Sequence, residues 1–153
     1  MIIEKILAQN LVFCNTPGTS KKKALENIAD ALHSALPELD NTELFEKLIA
    51  REKLGSTAIG KGIAIPHCRS KKIERTVGCL VKLQEAINFD APDDLPVDIL
   101  FVMIVPELAT DEHLQTLAQL AQLFEQSEFR NALRKAKTNE ALYNAAVQFA
   151  QAA

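Results

Sequence analysis

The sequence predicts a single α/β sandwich over residues 1–153, with a mixed β-sheet of about five strands flanked by helices. Residues 97–105 read V-D-I-L-F-V-M-I-V between two prolines, a run typical of a central strand that is covered on both faces. Segments with helical apolar spacing lie before and after this run. The length of 153 residues, with 48% hydrophobic and 24% charged side chains, is that of one ordinary globular domain.

Composition excludes several functional classes. A net charge of −3 provides no basic field, so we expect no nucleic-acid partner. Three cysteines, odd in number and without a C-x-x-C pair, indicate a reducing compartment. The N-terminal sequence M-I-I-E-K-I-L is too short and too charged for a signal peptide or a membrane span. We therefore expect a cytoplasmic protein without membrane insertion.

The N-terminal part predicts a short helix, a short strand and a longer helix. A helical stripe covers residues 2–9, and the apolar run 11–14 before the turn N-T-P-G-T predicts a strand. Three lysines at residues 21–23 oppose the helix dipole at the start of the longer helix, and we expect a solvated first turn there rather than a binding patch. From Ser20 to Pro37 the apolar residues share one helix face: Leu25, Ile28, Ala29, Leu32 and Leu36.

A second helix is predicted from Asn41 or Thr42, with Leu44, Phe45, Leu48 and Ile49 facing inward. Continuing this periodicity places Arg51 on the inward face or at its edge. A guanidinium there needs an acceptor, because an unpaired buried charge is costly. Two interpretations stay open, a structural ion pair with an acidic side chain or contact with a bound anion, and the helix alone favours the ion pair.

Residues 54–68 combine three of the five glycines, a Ser-Thr pair, a proline and His67. The segment G-S-T-A-I-G-K fits the phosphate-loop pattern G-x-x-x-x-G-K, but Gly62 stands where a magnesium-binding Ser or Thr is required. The loop also leaves a helix and enters a strand, the reverse of a phosphate loop. We therefore expect no nucleotide cofactor, and we expect the glycines to serve a hairpin or bulge.

A metal site is also not expected in this stretch. His67 and Cys68 are adjacent, so in an extended chain they point to opposite sides and cannot easily share one ion. The sequence contains no pair of histidines at helical i,i+4 spacing and no paired cysteines.

The remaining segments alternate strands and helices. Residues 68–75 read C-R-S-K-K-I-E-R and predict an exposed turn, and residues 77–83 predict a strand. A helix is predicted over about residues 111–126, and a short helix follows Ser127. The inward positions of the first of these helices are Leu114, Leu117, Ala121 and Phe124.

The last helix is predicted to be capped by Thr138. Its apolar positions are Ala141, Leu142, Ala145 and Phe149.

His67 is the candidate reactive group, because a neutral imidazole has an accessible lone pair near pH 7. Phosphoryl transfer to it requires positioning and charge neutralisation more than covalent help. Ser56 and Thr57 can supply hydroxyl groups, and Arg51 has the planar donor fork that suits phosphate oxygens. His113 lies in the first turn of its helix, where the dipole favours an anion. Taken alone, each of these residue types is more often structural than functional.

Three segments together carry a family resemblance. They are R-E-K-L-G-S-T-A-I-G-K-G-I-A-I-P-H (51–67), P-V-D-I-L-F-V-M-I-V-P (96–106) and H-L-Q-T-L-A-Q-L-A (113–121). In this order they resemble the fructose/mannitol-type IIA domains of the bacterial phosphotransferase system, and most of all the nitrogen-regulatory branch. The family fold is a mixed sheet flanked by helices, in agreement with the prediction from the residues.

The resemblance implies that His67 is phosphorylated by a small HPr-like carrier, itself charged by a phosphoenolpyruvate-dependent first enzyme. It also implies Nε2 as the acceptor atom, with Nδ1 held by a backbone acceptor. His113 corresponds to the histidine that hydrogen-bonds the phosphoryl group, Arg51 to the family arginine, and Ser56 and Thr57 to its hydroxyl pair.

Two roles are compatible with the resemblance. The chain is either a regulatory phosphoprotein that binds target proteins according to its phosphorylation state, or a phosphotransferase subunit that passes the group to a separate IIB component. The solitary domain and the segment R-E-K-L-G-S-T favour the regulatory role. Many family members have glycine where this chain has Cys68, and we expect that thiol to be passive.

Overall fold

A six-stranded mixed sheet forms the centre of the protein, and a computed structural model describes it within residues 2–108 and 112–152. The strand order is β1-β5-β6-β3-β2, and β4 also pairs with β6. The strands are β1 (Leu7–Thr16), β2 (Ala58–Gly60), β3 (Ile63–Ala64), β4 (His67–Ser70), β5 (Val77–Ile87) and β6 (Val97–Pro106).

Strand β6 is the central strand, as its apolar run predicts. It pairs antiparallel with β5 and parallel with both β3 and β4. Alternate side chains enter two separate cores: Phe101 and Met103 pack on one face, while Leu100 and Val102 pack on the other. Burial on both faces explains why this segment lacks the apolar-polar alternation of a surface strand.

Two layers of helices cover the sheet. Helices α2 (Lys21–Ala35) and α3 (Asn41–Lys53) pack on one face, and α1 (Ile2–Ile6), α4 (Glu112–Glu125), α5 (Ser127–Lys135) and α6 (Asn139–Ala152) on the other. The hydroxyls of Ser20 and Thr138 accept hydrogen bonds from backbone N–H groups of the first turns of α2 and α6. The predicted α/β sandwich is therefore confirmed. In the described part of the chain, no helix has both the length and the apolar character needed to cross a membrane.

Two predicted segments have a different structure. Residues 7–9 continue into β1 instead of extending the first helix, because Leu7 pairs with Gly78 and the strand gains a parallel partner. Residues 68–70 are not an exposed turn but belong to β4, where Cys68 pairs with Ile104. Pairing with distant strands overrides the local pattern in both cases, and it raises the strand number to six.

The inward faces of two helices are rotated relative to the prediction. In α4 the buried residues are Thr116, Leu120, Leu123 and Phe124. Leu114 lies two positions before Thr116, about 200° around the helix, and is 57% exposed. In α6, Ala141 is exposed next to the buried Leu142. The predicted start of α4 at residue 111 lies outside the described residues.

The glycine-rich stretch forms a tight β2–β3 hairpin, as expected. Its turn places Gly60, Lys61 and Gly62 at φ values of 96°, 57° and 83°. A Cβ atom added at Gly62 would lie 2.5 Å from Nη2 of Arg134 and 2.8 Å from Oδ1 of Asp98. The hairpin thus requires glycine for both conformation and space, and it directs the chain back along β6 towards His67.

Gly78→Ala should destabilise the fold by about 1–3 kcal/mol, the usual cost of overpacking a core. A Cβ at this position would lie 2.8 Å from Cζ of Phe101 and 3.3 Å from Cγ1 of Ile6. Urea denaturation measures the loss. In a Phe101→Leu background the same change should cost less, because the clashing ring atoms are gone; an equal cost in both backgrounds would contradict this explanation.

Candidate functional site

The cleft beside His67 has a volume of about 540 Å³ and lies where β4 and β6 meet the end of α3 and the start of α4. A second groove of about 360 Å³ continues from it along α4, and both contain His67 and Arg51. The cleft is lined by Lys47, Ala50, Arg51, Leu54, His67, Cys68, Arg69, Val105, Glu107 and His113. The groove adds Ser56 and Thr57. The structure therefore brings all five predicted site residues together.

The His67 ring is held by the backbone of the segment that connects β3 to β4. Its Nδ1 lies 2.8 Å from the carbonyl oxygen of Ile65. A carbonyl can only accept, so Nδ1 carries the proton and the neutral ring has its lone pair on Nε2. The backbone N–H of Met103 donates to the carbonyl of Pro66 at 2.9 Å, and this bond fixes the chain between Ile65 and His67. The local fold thus selects one tautomer of His67.

Several groups act on the pKa of His67. Burial of the ring is the largest effect and lowers the pKa below the usual 6.5, because the charged imidazolium loses hydration. The hydrogen bond to Ile65 and the Glu52 carboxylate raise it, whereas Arg51 and His113 lower it. The net shift is downward, so His67 is neutral and carries a free electron pair at neutral pH.

Arg51 lies in the last turn of α3, half-buried at the edge of the inward face. Its Nη1 donates to the carbonyl of Gly55 at 2.8 Å. Among the side chains that the structure describes, no carboxylate pairs with this guanidinium within 4.0 Å. Of the two interpretations left open by the sequence, the arrangement favours a cation that is available to an anion in the cleft.

His113 and Arg69 meet on the other side of the cleft. Nε2 of His113 lies 3.5 Å from Nη2 of Arg69, whose Nη1 donates to the carbonyl of Glu107 at 2.9 Å. Arg69 was not among the predicted site residues, because residues 68–75 were predicted to form an exposed turn. The available signal was its position two residues after His67, which in a strand places both side chains on the same face.

Ser56 and Thr57 already donate their hydroxyl protons within the protein. Ser56 Oγ donates to the carbonyl of Phe89 at 2.6 Å, and Thr57 Oγ1 donates to the carboxylate of Glu52. The backbone N–H of Thr57 also donates to Glu52, at 3.1 Å. In this arrangement the two hydroxyls hold the loop in place. That they hydrogen-bond a phosphate stays a prediction.

A buried ion pair supports this loop from behind. Nζ of Lys21 lies 3.0 Å from Oε1 of Glu52, and their side chains are only 18% and 4% exposed. The expectation of a solvated first turn is therefore wrong for Lys21, because the carboxylate of Glu52 draws it inward. Sequence reasoning missed Glu52 as well, although it adjoins Arg51 and falls on the buried helix face four residues after Leu48.

Cys68 belongs to the buried core beside β4 and reaches the wall of the cleft with only a small part of its surface. Burial raises the pKa of its thiol to about 12, so it is neutral and a poor nucleophile at pH 7. The passive side chain that was expected fits this environment. Within residues 2–108 and 112–152, no cluster of three or more His, Cys, Asp or Glu side chains is arranged to hold a metal ion.

The chain matches the family model "Phosphoenolpyruvate-dependent sugar phosphotransferase system, EIIA 2" over residues 5–147. It belongs to this family of phosphotransferase-system components, which confirms the resemblance seen in the sequence. Among its relatives, the nitrogen regulatory protein of Pseudomonas aeruginosa is 48% identical over 145 residues, or 95% of this chain and 94% of that protein.

Solved structures agree with this assignment. Nitrogen regulatory protein IIA-Ntr from Neisseria meningitidis superimposes with a TM-score of 0.86 at 36% identity, covering 95% of this chain and 99% of that one. Enzyme IIAMTL from Escherichia coli, solved in complex with phosphorylated enzyme IIBMTL, gives a TM-score of 0.74 at 18% identity, covering 92% and 96%. The second similarity shows the fold alone. The nitrogen regulatory assignment is therefore better supported than that of a sugar-specific component.

In an NMR titration, His67 should show a midpoint below 6.5, because burial disfavours the imidazolium. Arg51→Gln should raise this midpoint, since it removes a positive charge that lowers the pKa of His67. The nitrogen shifts should also report a proton on Nδ1 in the neutral form. A wild-type midpoint at or above 6.5 would contradict the electrostatic description of the site.

Proposed function

We propose that this protein is a phosphocarrier that accepts a phosphoryl group on Nε2 of His67 from an HPr-like protein and acts as a regulator through its phosphorylation state. The hydrogen bond from Nδ1 to Ile65 carries the proposal, because it leaves Nε2 as the only ring nitrogen with a lone pair. We further propose that it works in the cytoplasm, where its three free cysteines stay reduced.

Positive groups around the ring support an anionic substrate. Arg51, Arg69 and Lys47 line the same cleft as His67. Their charges neutralise the oxygens of a phosphoryl group in transit, which is the main requirement of this reaction. His113 lines the same cleft, and in the proposed mechanism it hydrogen-bonds the transferred group.

The transfer step is balanced without a cofactor. The bond between the donor nitrogen and phosphorus breaks as the bond between Nε2 of His67 and phosphorus forms. The Nδ1 proton stays on the hydrogen bond to Ile65, so the acceptor needs no external base. Because the group arrives already activated on the donor, the step needs neither a nucleotide nor a metal ion.

Phosphorylation changes the charge of the cleft. The modification turns the neutral His67 side chain into an anionic group in a cleft that is lined by three cationic side chains and Glu107. Binding of a partner that recognises the positive cleft is then weakened, and binding of a partner that requires a neutral cleft is strengthened. Regulatory target proteins are therefore the proposed readers of the two states.

The alternative role is that of a IIA subunit that passes the group to a separate IIB component. One observation favours keeping it: IIAMTL, which shares the fold, is solved as a complex with a phosphorylated IIB protein. The same open cleft would serve such a transfer in reverse, from His67 to the acceptor.

His67→Ala should abolish phosphorylation when the protein is incubated with phosphoenolpyruvate, the first enzyme and an HPr-like carrier. His113→Ala should slow the transfer but leave His67 as the acceptor, because it removes a stabilising hydrogen bond and not the nucleophile. Mass spectrometry of the labelled protein locates the group, and circular dichroism checks folding. Undiminished transfer to folded His67→Ala, or a group found on Ser56, would contradict the proposal.

The regulatory role predicts that phosphorylated protein retains its label when mixed with fructose- or mannitol-specific IIB components. Label retention is measured over several half-times of the forward transfer from the HPr-like donor. The His67→Ala variant serves as the unlabelled control. Transfer to a IIB component as fast as the forward reaction would favour the transport alternative.

A further inference from the structure

The ion pair between Lys21 and Glu52 is unusual because both charges are largely removed from water behind the cleft. Their side chains are 18% and 4% exposed, and Nζ lies 3.0 Å from Oε1. A buried ion pair commonly contributes less to stability than apolar side chains of the same volume. Lys21 also occupies the first turn of α2, where the helix dipole disfavours a cation. Stability alone therefore gives little reason for this pair.

Glu52 binds the loop that follows its own helix. One carboxylate oxygen accepts from the backbone N–H of Thr57 at 3.1 Å and from Lys21, and the other accepts from the Thr57 hydroxyl. A single carboxylate thus fixes both the backbone and the side chain of Thr57. Charge-assisted hydrogen bonds of this kind are short and restrict geometry more than neutral ones.

Lys21 extends the same network to the loop after β5. Its Nζ lies 3.6 Å from Oδ2 of Asp90 and 4.7 Å from the ring centre of Phe89. It also approaches the carbonyl of Phe89 at 3.5 Å, the same oxygen that accepts from Ser56. The pair therefore connects α2, α3 and this loop next to Ser56 and Thr57, which follow the end of α3.

We propose that Lys21 and Glu52 are positioning residues for phosphoryl transfer, holding Ser56 and Thr57 in the arrangement that receives the phosphoryl group on His67. This inference rests on the proposed function and deepens it. Neither residue is among those that line the cleft or the groove, so both act through the segment they hold. Glu52 acts on His67 in addition through its charge, which raises the pKa of the imidazole.

Steady-state transfer from the HPr-like donor tests the inference with Glu52→Gln and Lys21→Met. Both variants should lower kcat by roughly 10- to 100-fold, because a misplacement of about 1 Å at a reaction site costs up to about 10²-fold. KM for the donor should be unchanged, since neither side chain faces the docking cleft. Lys21→Arg retains the charge and should restore most of the rate.

Lys23→Met is the matched control. Lys23 lies in the same turn of α2 and pairs with Glu26 at 2.9 Å, but its side chain is 55% exposed. Transfer should proceed at the wild-type rate in this variant. A loss of rate as large as that of Lys21→Met would overturn the inference. Removal of any positive charge from the start of α2 would then lower the rate, whether or not that charge is paired with Glu52.

NMR titration of His67 checks the electrostatic effect of Glu52 on the ring, and the measured folded fraction separates a positioning role from general support of the fold. Glu52→Gln should lower the His67 midpoint, because it removes a negative charge that raises the pKa. Folded variants with wild-type kcat, or rates that fall only with the unfolded fraction, would overturn the inference. Where Glu52→Gln does not fold, Lys21→Met decides the question, since its side chain is the less buried of the two.

The two proposals fail in different ways. A wild-type protein that accepts no phosphoryl group on His67 contradicts the proposed function. The positioning role alone is contradicted if the wild-type protein is phosphorylated on His67 and the folded Lys21 and Glu52 variants transfer as fast as the wild type.

Discussion

The hydrogen bond from Nδ1 of His67 to the carbonyl of Ile65 is the interaction on which the site depends. Strands β3 and β4 pair with successive stretches of β6, and Ile65 and Pro66 lie between them. The Pro66 carbonyl accepts from Met103 on β6, whereas the N–H of Ile65 donates to the carbonyl of Thr57 on the other side of the chain. The Ile65 carbonyl accepts from the imidazole two residues further on. The break between the two strands and the choice of histidine tautomer therefore fall at the same place in the chain.

The electrostatics of the cleft follow from that geometry. Held against the sheet, the His67 ring is partly buried, which keeps its pKa low and its lone pair available. Arg51 acts in the same direction on the histidine, and the same charge attracts an incoming anion. Glu52 acts in the opposite direction. Glu52 is paired with Lys21. This buried ion pair therefore offsets part of the effect of Arg51 on His67 and also holds the loop at the edge of the cleft.

The sequence predicts those parts of the fold whose signals are local. Helices α2 and α3 follow from apolar periodicity, and β6 from its unbroken apolar run, because each pattern lies within one element. Strand β4 could not be predicted, since residues 68–70 lack an apolar strand pattern and become a strand only through pairing with β6. Arg69 was missed for the same reason.

The site shows the same division between local and distant signals. His67 stands out by its own motif, whereas the position of Glu52 depends on Lys21, which is distant in sequence. Arg51 could be placed on its helix face, but its acceptor, the Gly55 carbonyl, depends on the conformation of the following turn. Leu114 was placed inward because a helical stripe fixes a face only to within about one residue position.

The packing of the sheet also constrains how a phosphorylation signal could leave the site. Strand β6 is buried in two cores at once, and a close-packed interior does not shift gradually. A large rearrangement behind His67 would disrupt both faces of the sheet. The cleft is instead open. Leu54 on its wall is 85% exposed, and Leu114, the neighbour of His113 in the chain, is 57% exposed. On the proposed function, a partner would therefore detect the charge on His67 directly at the open cleft, without a rearrangement of the sheet.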